Sequence, residues 1–216
     1  MFITFEGIEG SGKSTQIKLL AARLQDKGHK ILQTREPGGC PLADKIRALL
    51  LDADNSEMVP MTELMLYAAA RAQHVNEVIL PALGAGAIVL CDRFSDATYA
   101  YQSFGRGLPR GMVMQLNQLA CNNLAPDLTL LLDCEVGIGL SRARSRISSL
   151  DGHTPKEERF ELEALSFHQR VRDGYLALSQ ENPERFTVIQ ADQPPDAIAD
   201  NIATAVFKRL QCTPLK

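Results

Sequence analysis

The sequence has no C-x-x-C pair, no apolar run long enough to cross a bilayer, and no excess of basic charge. Each lack removes a class. Five cysteines (Cys40, Cys91, Cys121, Cys134, Cys212) are odd in number and widely spaced, which reads as reduced thiols with neither a disulfide frame nor a thiolate metal site. The longest weakly polar stretch, Leu80 to Cys91, is interrupted by Pro81, Gly84 and Gly86, so no membrane partner is expected. Met1 to Glu6 carries no basic n-region and no small-residue cleavage site, so the expected location is the cytoplasm. The net charge of −3 rules out a broad basic coat for gripping duplex DNA, and no nucleic-acid partner is expected. There is no guanine-reading N/T-K-x-D, no helicase-like D-E-x-D/H, no repeat and no low-complexity tract.

What is present is ordinary globular material: 216 residues, 45% hydrophobic and 23% charged. Short β-rich runs (Phe2–Phe5, Lys30–Gln33, Ile88–Cys91, Leu128–Leu132, Phe186–Ile189) alternate with helical periods. One apolar face holds Ile17, Leu20, Ala21 and Leu24; a second holds Leu42, Ile46, Leu49 and Leu50. A third helix opens at Pro60 and runs toward Pro81, and a fourth lies between Pro109 and Pro126. Later stripes are Val136, Leu140, Ala143, Ile147; Ala164, Phe167, Val171, Tyr175, Leu178; and Ile198, Ile202, Ala205, Leu210. This alternation predicts an α/β fold, a parallel sheet flanked by helices on both faces. No linker divides 1–216, so a single domain is expected, with 148–155 the most loop-like interior stretch.

The segment from Gly7 to Ser14 fits G-x-x-x-x-G-K-[ST]. Its glycines let backbone N–H groups curl toward phosphate oxygens, Lys13 adds a cation near the β and γ phosphates, and the Ser14 hydroxyl suits Mg²⁺. Asp92 and Arg93 end the third apolar run, and ligands sit beyond the carboxyl ends of parallel strands, so both should face the same crevice. There Asp92 holds Mg²⁺ through water or orients an attacking oxygen, and Arg93 binds a second phosphate; a surface ion pair is the alternative. Arg142, Arg144 and Arg146 form a run with no acid, ordinarily a solvated face, otherwise a lid that closes over a triphosphate. The chain also has 15 Arg against 8 Lys. Much of that surplus is expected to converge on two phosphates, while acid collects at 181–200 (Glu181, Glu184, Asp192, Asp196, Asp200).

In chain order, Glu6 to Thr15, T-R-E-P-G-G at Thr34–Gly39, Y-A-A-A-R at Tyr67–Arg71, D-R-F at Asp92–Phe94, A-Y-Q at Ala100–Gln102, G-R-G at Gly105–Gly107 and the Arg142–Arg146 cluster resemble the thymidylate kinases of bacterial type. The resemblance runs from Phe2 to about Phe207. It implies ATP-dependent phosphorylation of dTMP to dTDP with Mg²⁺, in support of dTTP supply. It also implies a five-stranded parallel sheet of the P-loop nucleotide monophosphate kinase type, a short lid at about 142–160, and a homodimer.

Carried over by position, Gly7, Gly10, Ser11, Gly12, Lys13, Ser14 and Thr15 would hold ATP, with Arg142 stacked on adenine. Ser14 and Asp92 would hold the metal. Glu9 would accept from the sugar 3′-hydroxyl, Tyr67 would stack on thymine, and Arg71 would donate to a thymine carbonyl. Thr98 and Gln102 would address thymine N3–H and O4, and Tyr101 would crowd the sugar C2′. Arg93 and Arg47 would hold the dTMP phosphate with Glu36 close by, and Arg106 would help close that side. Some relatives place an Arg in the phosphate loop where this chain has Gly10, so Arg144, Arg146 and Arg159 become the candidates for the catalytic cation. Two alternatives stay open at this point: a deoxynucleoside kinase, whose acceptor is an uncharged hydroxyl, and a non-enzymatic ATP-gated switch.

Overall fold

A computed structural model describes residues 1–148, 159–160 and 162–212, without the side chains of 146–148 and 212. Five strands form one sheet: β1 (Phe2–Glu6), β2 (Ile31–Arg35), β3 (Ile88–Asp92), β4 (Leu128–Asp133) and β5 (Phe186–Gln190). Their order is β2-β3-β1-β4-β5, with every pairing parallel. The three central strands are almost wholly buried, whereas the edge strands β2 and β5 alternate with exposed positions, as expected of a sheet covered on both faces.

Side chains of a strand point alternately to opposite faces. Accordingly Ile3, Phe5, Ile88 and Leu90 join one apolar cluster, and Phe2, Val89 and Cys91 join another. The first cluster is closed by helices α1 (Lys13–Gln25), α8 (Leu165–Glu181) and α9 (Pro195–Cys212), through Leu20, Leu24, Val171, Tyr175, Ile202 and Val206. The second takes Val75, Ile79, Phe94 and Cys121.

Two elements differ from the pattern in the sequence. Leu42 and Leu49 of α2 (Pro41–Leu51) are exposed, and the buried side of that helix is Ala43 and Leu50 with Ile46 beside them. That i, i+3, i+7 row is the one that packs, against α3 (Pro60–His74). The helix begun at Pro60 runs toward Pro81, as expected, and continues past it. A π-helical turn over Val75–Ile79 shifts the bonding register, and Pro81 takes a first-turn place in α4 (Leu80–Gly84), where its missing N–H costs nothing. A second π-helical turn, Tyr99–Gly105, extends the short α5 (Ser95–Thr98) and buries Tyr101 and Gln102. Helices α6 (Arg110–Cys121) and α7 (Val136–Ser148) complete the layers.

Leu130 lies in the middle of β4 with no exposed surface. Leu130→Ala should lower unfolding stability by about 2–5 kcal/mol, read as a shift in urea midpoint at constant slope.

Candidate active site

The crevice is made where β1 and β3 end side by side. Phe5 pairs with Asp92, and the N–H of Arg93 donates to the Phe5 carbonyl at 2.9 Å, so the turn after β3 lies against the phosphate loop after β1. Strand order reverses across β1, between β3 and β4, which is where parallel sheets open a ligand crevice.

The loop from Gly7 to Gly12 leads into α1 at Lys13. Lys13 folds back onto it, donating to Gly7 O (3.0 Å), Ile8 O (2.8 Å) and Ser11 Oγ (3.3 Å). Burial, with Arg93 nearby, lowers its ammonium to about 8. Gly10 has a φ of 69°, and a Cβ there would lie 1.9 Å from the Gly139 carbonyl of α7. A Cβ on Gly139 would in turn lie 2.6 Å from the Glu9 carbonyl. The two glycines let α7 dock directly on the phosphate loop. This is the physical reason no arginine stands at position 10: any side chain there meets backbone.

Ser14 Oγ donates to Asp92 Oδ2 at 2.8 Å on the exposed side of the loop. A hydroxyl and a carboxylate are hard oxygen donors that fit Mg²⁺, an ion ordinarily held by one or two protein groups together with phosphates and water. Among the described residues no cluster of three or more His, Cys, Asp or Glu is placed to make a closed metal cage.

Arg93 has a φ of 68° and turns its guanidinium inward. It donates to Gly7 O (2.8 Å) and Glu9 Oε1 (3.0 Å), meets Tyr175 OH at 3.2 Å, and lies 4.9 Å from the centre of the Tyr101 ring. Glu9 also accepts from Tyr101 OH and lies 3.2 Å from His168 Nδ1. Burial alone would raise the Glu9 carboxyl, but Arg93, then His168 and Tyr101, hold it far below the usual carboxylate range. Glu9, Arg93 and Tyr101 are therefore one contact group.

A second group surrounds Arg71. It donates to Glu36 Oε2 (2.7 Å), Thr98 Oγ1 (2.8 Å), Asn117 Oδ1 (2.7 Å) and Phe94 O (3.1 Å). Those bonds occupy four of its five N–H groups, so it presents at most one to any base. Glu36 takes His74 Nδ1 at 2.9 Å as well; burial would raise its carboxyl, and Arg71 with His74 lowers it instead. Half-buried Tyr67 lies one turn before Arg71 on α3, and Arg47 donates to the Pro37 carbonyl at 3.0 Å.

The arginines of the expected lid separate. Arg142 and Arg144 are exposed on α7, and Arg142 donates to Ala191 O at 3.0 Å. The side chain of Arg146, and all of 149–158 within the lid expected at about 142–160, lie outside the described residues. Arg159 is buried and donates to Leu50 O and Glu63 Oε2, both at 2.6 Å.

A family model described as thymidylate kinase matches residues 5–202. The chain belongs to the thymidylate kinase family. It is 65% identical to a thymidylate kinase of Trichlorobacter lovleyi, covering 97% of this chain and 98% of that one. It is 58% identical to one of Geobacter sulfurreducens, covering 97% of each. The crystal structure of thymidylate kinase from Ehrlichia chaffeensis superposes with a TM-score of 0.76 at 32% identity, covering 95% of this chain and 98% of that one.

Several residues of this family member's crevice were not singled out by sequence reasoning. Glu63 gives an acid in the first turn of α3, a position ordinarily explained by the helix dipole. Tyr175 and His168 fall on or beside an apolar stripe and read as core. Asn117 carries no local signal. Glu6 was the most findable, as a carboxylate closing an otherwise apolar strand. It accepts from Phe94 N (2.7 Å) and Tyr175 OH (2.8 Å), and burial, with Asp96 adding repulsion, raises it to about 8.

In the unfolded chain Glu6 titrates near the ordinary carboxylate value of 4.5. Between about pH 5 and 8 the folded protein therefore keeps a proton that the unfolded chain releases, and stability falls as pH rises through that window. Glutamine carries the neutral form permanently. Urea unfolding at several pH values should show a shallower decline for Glu6→Gln than for the parent; equal slopes would refute the assignment.

Proposed function

We propose a division of labour at this crevice for the reaction that family membership gives the chain, transfer of the γ-phosphoryl group of ATP to dTMP, yielding dTDP and ADP. The observation that carries it is the contact group of Arg93, Glu9 and Tyr101, which joins the expected acceptor side to the phosphate loop. Phosphoryl transfer needs two anions held in line and their spreading charge neutralised. Lys13 and the backbone N–H groups of Gly7, Gly10, Ser11, Gly12, Ser14 and Thr15 cradle the triphosphate. Lys13 exchanges its loop carbonyls for phosphate oxygens, whose negative charge favours its ammonium form. Arg142 stacks on adenine.

On the acceptor side, Arg93 and Arg47 take the dTMP phosphate, with Glu36 nearby holding Arg71. Tyr67 stacks on thymine, and Arg71, through its remaining N–H, reads a ring carbonyl with Thr98 and Gln102. Glu9 takes the sugar 3′-hydroxyl, and Tyr101, already against Glu9, leaves no space for a 2′-hydroxyl. The acceptor is a dianion, so no strong general base is required. Ser14 and Asp92 would hold Mg²⁺, which would neutralise negative charge on the phosphates. Arg144 and Arg146 complete the cage from α7, whose attachment to the loop at Gly10 and Gly139 supports that approach. Arg159, committed to Glu63 and the Leu50 carbonyl, serves to hold α2 and α3 together and is not the catalytic cation.

A single 1–216 domain with a short lid at about 142–160, a homodimer and a cytoplasmic location complete the reading. Exposed Met65 on α3 and exposed Met114 and Leu119 on the adjoining α6 support a second copy. The four described cysteines, all free and buried, support a reducing compartment. No helix among the described residues is long and apolar enough to cross a membrane.

A coupled ADP-release assay with dTMP, dUMP, CMP and thymidine in parallel tests the reaction. dTMP should respond most strongly; a flat response points to the switch, and a response to thymidine alone to a nucleoside kinase. Arg93→Ala should lower kcat/KM for dTMP by about 3–4 kcal/mol, a factor of several hundred. An unchanged value removes Arg93 from the acceptor site.

A further inference from the structure

Glu63 is fully buried on α3 and has four hydrogen bonds converging on its carboxylate. Arg106 Nε and Nη2 donate at 3.2 and 3.1 Å, Arg159 Nη2 at 2.6 Å, and Gln102 Nε2 at 2.9 Å. Burial would raise this carboxyl, but Arg106, Gln102 and Arg159 lower it, so it is an anion at neutral pH. An ionised carboxylate only accepts hydrogen bonds. It must therefore face the NH₂ end of the Gln102 amide, because the flipped amide would set two oxygens against each other without a proton between them. Gln102 is itself buried and cannot relieve that clash by turning into solvent. The amide orientation, ordinarily ambiguous for glutamine, is dictated here by charge.

The consequence concerns which end is left over. Gln102 follows Tyr101 in the π-helical turn and lies one turn after Thr98, the partner of Arg71. With the NH₂ end of the amide turned to Glu63, the end left for a planar ligand is the oxygen, an acceptor. An acceptor suits a base whose N3 carries a hydrogen, as in thymine and uracil. It opposes one whose N3 is a lone pair, as in cytosine.

We propose that Glu63 is a positioning residue that locks the Gln102 amide with its oxygen toward the base and thereby sets the preference for pyrimidines protonated at N3. The inference rests on the reading that Gln102 faces the base, and the experiment separates the two. The holoenzyme is given ATP, Mg²⁺ and equal amounts of dTMP and 5-methyl-dCMP, which share the methyl group and sugar and differ at N3 and the C4 substituent. The ratio of the two diphosphates formed in one vessel compares kcat/KM values and does not depend on how much of a variant is folded. The parent should favour dTMP strongly, and Gln102→Leu should lose most of that preference. Glu63→Gln, whose amide can itself donate and so permit the flip, should lower the ratio by about tenfold or more, since a site built around one hydrogen-bond pattern discriminates steeply. Arg106→Gln removes another partner of the same carboxylate and should leave the ratio within about twofold of the parent. The double variant Glu63→Gln, Arg106→Gln removes the half-buried cation that the single variant leaves with Glu163 as its remaining anion, and should show the same lowered ratio.

A parental ratio in Glu63→Gln, with Gln102→Leu impaired, overturns this inference alone. An equal loss in Arg106→Gln also overturns it, because the effect would then be general to the cluster. A parental ratio in Gln102→Leu overturns the placement of Gln102 at the base, and this inference with it.

Discussion

The crevice depends on one register. β1 and β3 pair in parallel with Phe5 opposite Asp92, and the next amide, that of Arg93, is tied to the Phe5 carbonyl. That pairing sets the phosphate loop and the Asp92–Arg93 turn at the same height on the same end of the sheet. A slip by one residue would exchange the faces of every β3 side chain, moving Ile88 and Leu90 out of one core and Val89 and Cys91 out of the other. Burial on both faces thus makes the register stiff, and the stiff register makes a preorganised site.

Buried and half-buried arginine–carboxylate pairs surround this frame. Arg71 meets Glu36, Arg93 meets Glu9, Arg106 and Arg159 meet Glu63, and Arg185 meets Asp96. The surplus of Arg over Lys therefore has a use beyond gripping phosphate. A guanidinium fork satisfies a carboxylate and a carbonyl together, which an ammonium on a flexible stem does with less geometric control. Such pairs are a poor source of net stability, because desolvation offsets much of the attraction. Their value here is geometric, since each holds an element in one place relative to another: α3 to the turn after β3 through Arg71, and the phosphate loop to that same turn through Arg93.

Much of the fold was legible, and for definite reasons. All five strands were visible as short β-rich runs, because central strands of a covered parallel sheet must be apolar throughout. The stripe of Ile17, Leu20, Ala21 and Leu24 was legible because one face of α1 packs on the sheet and the other meets water. The stripe on α2 misled because Leu42 and Leu49 have helical spacing yet lie on the exposed side; periodicity alone does not say which apolar row finds a partner. The continuation past Pro81 was not legible because a π-helical turn, which leaves no compositional mark, gives the proline a harmless position. Residues of the phosphate loop and the D-R-F turn could be named from motif spacing. Glu63, Asn117 and His168 could not, since their partners lie 39, 46 and 159 residues away along the chain.

By itself, then, the sequence determined the chemistry available: a loop that can wrap phosphate, a carboxylate and a cation at the end of a neighbouring strand, and an α/β order that brings strand ends together. Local spacing suffices for these, because each motif is built from contiguous backbone. Only the tertiary structure decided which charges meet. It gave Arg71 four partners within the protein where the family resemblance implied a thymine carbonyl, made Arg159 an anchor, and closed position 10 to any side chain through Gly139. Those outcomes depend on approach between distant segments within a few ångströms, and no periodicity or motif encodes that distance.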